Sequence, residues 1–145
     1  MRILCLYTIL LLVACSQTET AQSYFEKGAQ AFEKGEMDQA IALYEQGLTL
    51  EPHSALGHNL YGMACRMKFN QTGDPTWQLR EIASFEASIN VDSNYVPALV
   101  NLGATYYYSG DKAKAVPYFK HALEVNPGHP EAETIQQMIT EGEVE

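Results

Sequence analysis

Two patterns of apolar residues divide the chain. Ile3 to Val13 is almost wholly apolar. From residue 21 onward, apolar positions instead recur every three or four residues, as in Leu99, Leu102 and Tyr106, which is the signature of helices with one buried stripe. Gly, Pro and small polar residues punctuate that pattern. It predicts helices over 21–33, 37–50, 55–70, 75–91, 96–109 and 112–125, and a last one running from His129-Pro130 to about Thr140. Asp74-Pro75-Thr76 reads as the N-cap and first turn of the fourth. Pro117 conflicts locally with the sixth; its closeness to the helix start is expected to keep the cost of its missing N–H low.

The helices come in pairs, and the pairs are copies. Gly35-Glu36-Met37-Asp38-Gln39-Ala40-Ile41 returns as Gly110-Asp111-Lys112-Ala113-Lys114-Ala115-Val116, an offset of 75. Tyr44 to Pro52 returns as Phe119 to Pro127 at the same offset, and Phe85 to Ser93 fits the frame between them. Gly28, Gly62 and Gly103 mark the first half of each unit, 34 and 41 residues apart. The seven extra residues of the middle unit fall between Lys68 and Arg80, where an extended first helix followed by a loop is expected.

Each unit resembles the tetratricopeptide repeat, a pair of antiparallel helices. The third unit carries every signature position: Leu99, Leu102, Gly103 and Tyr106, then Ala115, Phe119, Ala122 and the closing Pro127. Small Gly and Ala let two helices approach, while Leu, Tyr and Phe fill the seam. The first unit keeps Tyr24, Gly28, Ala40, Tyr44 and Pro52 but has Lys27 and Gly47 at two signature places. The second departs further, with Glu81 where the small alanine belongs and Ser93 in place of proline; a local rotation would let Ala83 take the small-residue role. The resemblance implies an all-α solenoid of about three helix pairs, with the acidic amphipathic stretch Glu131–Ile139 as the cap its open end requires.

The apolar run near the start is too short to span a hydrocarbon core, which needs about 20 helical residues. With Arg2 before it and small residues after it, the run reads as a signal peptide. Its end, Leu12-Val13-Ala14-Cys15, resembles a bacterial lipobox. That resemblance implies cleavage after Ala14 and lipid on Cys15; an ordinary secretory signal is the alternative. Two or more acyl chains hold a protein stably on a bilayer. Ser16, rather than Asp, follows the cysteine, which by the same resemblance implies the outer membrane, facing the periplasm, if the host is Gram-negative. The expected organisation is a signal peptide over 1–14, a lipidated tether over 15–20, repeats over 21–54, 55–95 (with the insertion) and 96–129, and a capping helix with acidic tail over 130–145.

A formal net charge of −9 argues against nucleic acid, whose binding rests on Lys and Arg neutralising phosphates. With Cys5 lost in the signal and Cys15 lipidated, Cys65 is left as a single thiol, read as a small buried hydrophobe. His53, His58, His121 and His129 form no pair at metal-binding spacing, and His58 with Cys65 makes only two ligands. Phosphate-cradling and nucleophile-elbow motifs are both missing from the sequence. No catalytic residue, cofactor or metal is expected.

What remains is surface for binding another protein. In tetratricopeptide proteins the first helices line a groove, and the resemblance places Phe25, Phe32, Asn59, Met63, Arg66, Asn101, Tyr107 and Tyr108 there; the alternative for Phe32, Tyr107 and Tyr108 is packing between repeats. Asn can pair with a peptide backbone, and aromatics with Met offer an adaptable apolar surface. An extended peptide or helix is the expected occupant. Trp77, in the insertion, is the competing contact. The function this implies is a membrane-anchored adaptor or scaffold in the bacterial cell envelope, assisting assembly of an envelope, pilus or secretion complex. The alternative is a self-associating structural solenoid without a distinct client.

Overall fold

The computed structural model describes residues 19–144. The expected signal peptide, the lipidation site Cys15 and most of the tether lie outside the described residues. Seven helices follow in chain order: α1 (Ala21–Glu33), α2 (Met37–Leu50), α3 (Ala55–Thr72), α4 (Pro75–Val91), α5 (Val96–Tyr108), α6 (Lys112–Val125) and α7 (Ala132–Glu143). Side-chain caps fix the starts of α1, α3 and α4. The Thr20, Ser54 and Asp74 side chains accept hydrogen bonds from the backbone N–H of Ser23, Gly57 and Thr76, satisfying donors the helices leave open. Gly35 and Gly110, at φ of 79° and 94°, turn the chain after α1 and α5 in the left-handed region.

Each helix packs on the next, and the first helices α1, α3 and α5 also touch one another along one face. The seam inside each pair is the same contact made three times. A Cβ added at Gly28 would lie 2.5 Å from the Tyr44 ring, at Gly62 2.7 Å from the Phe85 ring, and at Gly103 2.6 Å from the Phe119 ring. The glycines are therefore places where an aromatic ring lies directly against bare backbone. Ala40 and Ala115 sit fully buried one turn before their rings, as their small size allows.

The first helix of the middle unit is extended, as expected, but no loop follows it. α3 has 18 residues and α4 has 17, against 13 and 14 in each of the other two pairs, and only Gly73 and Asp74 separate them. Gly73 at φ 68° ends α3, and Pro75 opens α4 at once. The extra residues thus lengthen both helices, and the α3–α4 hairpin projects beyond its neighbours.

Pro117 is the sixth residue of α6, beyond the first turn, so it removes the bond the Ala113 carbonyl would otherwise receive. Both residues are exposed, which leaves that carbonyl to water. α7 closes the stack. Ile135 and Ile139 bury against Ala115 and Phe119, and Gly142 comes so near the Lys112 carbonyl that a Cβ there would lie 2.7 Å away. Among the described residues no helix is long and apolar enough to cross a membrane.

Candidate functional site

Where α3, α4 and α5 meet, one arginine organises the groove face. The Arg66 guanidinium donates from Nε to Glu81 Oε1 (2.7 Å), from Nη1 to Asn101 Oδ1 (3.0 Å), and from Nη2 to the Asn101 carbonyl and Thr105 Oγ1 (both 2.8 Å). The Thr105 hydroxyl lies 2.6 Å from the same Glu81 oxygen. Asn101 Nδ2 donates onward to Asn59 Oδ1 at 3.0 Å, and Asn59 Nδ2 reaches Met63 Sδ at 3.6 Å. The guanidinium also lies 5.1 Å from the centre of the Phe85 ring. A buried charge needs this degree of pairing, because an unpaired one costs several kcal/mol of lost hydration, roughly 3–5 when one partner is removed.

Beside the network opens a cavity of about 420 Å³. Arg66 and Glu81 form its floor, Phe69, Ala104 and Tyr108 its apolar walls, and Asn70 and Gln78 stand among its lining with side-chain amides that bond to nothing else described. A smaller notch of about 80 Å³ lies one unit earlier, between α1 and α3, walled by Phe32, Leu60 and Met63. Two hollows therefore follow one another along the face where first helices meet.

The residues expected in the groove divide. Tyr108, 76 % exposed, stands at the cavity wall with its ring edge-on to Tyr107, and Met63 lines the earlier notch. Arg66 lines the cavity but is held from within, and Asn101, which is not part of the lining, belongs to the network that holds it. Asn59 is only 4 % exposed and spends its amide on Asn101 and Met63, so it supports the face rather than presenting itself. Phe25 is a correction. It is 2 % exposed, because Gly47 and Gly57 leave a hole between α2 and α3 that its ring fills. Trp77 is half-buried against the core of the first pair, with Arg80 4.9 Å from its ring centre. What the lengthened hairpin brings to the cavity is instead Phe69, Asn70 and Gln78.

Sequence reasoning missed Glu81 as a functional residue. It occupies the alanine position with no local rotation, 2 % exposed, whereas Ala83 is exposed. The available signal was a pair of misfits of opposite charge, an acid at an alanine position and an arginine on the helix opposite. Cys65 is fully buried, and burial above all pushes its thiol up to about 12. Tyr61, which donates to Glu45 Oε1 at 2.9 Å, is likewise held above the usual phenol range, first by burial. Among the described residues no group of three His, Cys, Asp or Glu side chains could hold a metal ion.

Comparison with known proteins agrees with this architecture. Tetratricopeptide repeat profiles match residues 21–54 and 96–129, flanking the unit that carries Glu81 and the lengthened helices. The chain is 28 % identical over 92 residues to the protein bimA of Emericella nidulans, covering 63 % of this chain and only 10 % of that protein. It thus spans about a tenth of the length of that relative. Among solved structures, the first tetratricopeptide domain of Spaghetti (RPAP3), bound to the HSP90 peptide SRMEEVD, superposes with a TM-score of 0.73 at 19 % identity, covering 87 % of this chain and 94 % of that one. The TPR2B domain of yeast Sti1, in complex with pHsp70, gives 0.72 at 21 %, over 86 % and 96 % of the two chains. The crystal structure of MamA gives 0.72 at 20 %, over 86 % and 68 %.

Proposed function

With tetratricopeptide repeats as the premise, we propose that this protein is a membrane-anchored interaction module that receives an extended peptide or helix of another protein in its groove. The observation that carries the reading is the open cavity between α3 and α5. Its apolar walls and free amides are fit to hold a side chain and the backbone around it, while the polar groups beneath are already satisfied. Domains of the same fold hold chaperone-derived peptides, which supports a peptide as occupant. The anchoring half rests on Leu12-Val13-Ala14-Cys15, which fits lipid attachment at Cys15 and a station in a bacterial cell envelope. Assisting the assembly of an envelope, pilus or secretion complex is the role that suits a small adaptor held there.

In-cell cross-linking with mass spectrometry tests the reading. Tyr108→Ala should lower capture of the partner by about fivefold or more, the loss of about 1 kcal/mol expected for an aromatic anchor contact. Trp77→Ala should leave capture unchanged once helicity is verified. Capture that depends on Trp77 and ignores Tyr108 would move the site to the hairpin. A cross-link only to further copies of this chain would favour a structural solenoid.

A further inference from the structure

Arg66 is the cation on the cavity floor, and Glu81 already pairs with it. A guanidinium has five N–H donors, and four hydrogen bonds hold this one inside the protein. Among the residues that line the cavity, charge is confined to Arg66 and Glu81, and they neutralise one another. The chain around them carries 18 acids against 9 bases. A carboxylate entering the cavity would find no free positive charge and would lose hydration without recompense. An uncharged segment meets no such obstacle. Its bulky apolar side chain can lie against Phe69, Ala104 and Tyr108, and the unpartnered amides of Asn70 and Gln78 can bond its backbone.

We propose that Glu81 is the specificity-determining residue of this groove. By cancelling Arg66 it excludes acidic and carboxylate-terminated peptides, so the partner presents an internal, uncharged stretch anchored by a bulky apolar side chain. The inference rests on the groove being the binding site. Position 81 makes it testable, because the two other pairs carry alanine there, Ala40 and Ala115, and fold with it. Glu81→Ala therefore places a residue of the size that position accepts in the other pairs, while leaving Arg66 without its carboxylate. Glu81→Gln, which keeps the shape and an acceptor for Arg66, is the second variant should the first lose helicity.

A random peptide library is selected against each protein in two displays, one between flanking domains and one at a free C terminus. Wild type should enrich internal, uncharged sequences with a recurrent aromatic or large aliphatic residue. Both Glu81 variants should shift toward acidic sequences ending in a free carboxylate, binding them at least about tenfold more tightly than wild type does, with the gain fading as salt rises. If wild type selects carboxylate-terminated sequences as readily as internal ones, or the variants select as wild type does, the role of Glu81 is overturned while the groove stands. If no selected peptide loses binding on Tyr108→Ala, the groove itself is overturned, and this inference with it.

Discussion

At the scale of single residues, the three glycine–aromatic contacts do most to define the fold. A side chain at Gly103 would have to displace the Phe119 ring, itself fully buried against α7. Gly103→Leu should cost about 1–3 kcal/mol, read as a lowered melting temperature. Gly128→Ala, where an added Cβ meets only the Asn126 side chain at 3.8 Å, should change little. Gly73 is a poor control despite the open space around it, since its φ of 68° strains any other residue. These glycines were legible in the sequence because their spacing repeats. Phe25 was not. It is the fifth residue of α1, and what lets its ring bury is the missing side chains of Gly47 and Gly57 on two other helices. Glu81 was illegible for a related reason. An acid at a small-residue position reads as a defect until the arginine that neutralises it is seen beside it.

At the scale of elements, the pairings followed from apolar spacing and the starts of α1, α3 and α4 from caps, which are local. The hairpin between α3 and α4 did not, because helix and loop compete for the same polar residues, and the outcome depends on what the lengthened helices touch. Here Lys68 reaches Asp38 at the start of α2, at 2.7 Å, and Phe69 finds the cavity wall. The capping helix α7 carries its own condition. The Glu141 carboxylate accepts from the Tyr107 hydroxyl, from Gln137 at 3.1 Å and from Lys112 at 3.4 Å, and these bonds, Tyr107 foremost, hold it below the usual carboxylate range. A depressed acid stabilises the fold above its ordinary value, and that stabilisation is lost as pH falls through the depressed one. Acidification should therefore loosen α7 only below the ordinary glutamate range. In Tyr107→Phe the Glu141 titration, followed by carboxyl NMR, should move back up, and acidification should then loosen α7 less than in wild type, because less stability is tied to that carboxylate. An unmoved titration would show that the hydroxyl does not hold this carboxylate.

At the scale of the whole molecule, the contacts run between neighbouring helices and along one face, so the body has a direction as well as a shape. Its first described helix begins at Ala21, six residues after the proposed lipidation site at Cys15. An extended tether of that length spans at most about 21 Å, which would keep the first pair close to the bilayer. Cys15→Ala should release the protein from the membrane fraction, assayed by fractionation and mass labelling with a fatty-acid analogue. A variant that stays membrane-bound would remove the anchor from the reading. The lengthened hairpin has one more consequence. Residues added between two units would rotate every later unit about the axis of the stack. Residues added at the tip of a pair leave all the joints in place, since the chain goes out along one helix and returns along the other. The turn at Gly73-Asp74 is thus a locus at which evolution, or a graft of foreign sequence, can change the reach of the groove wall without altering the pitch of the superhelix.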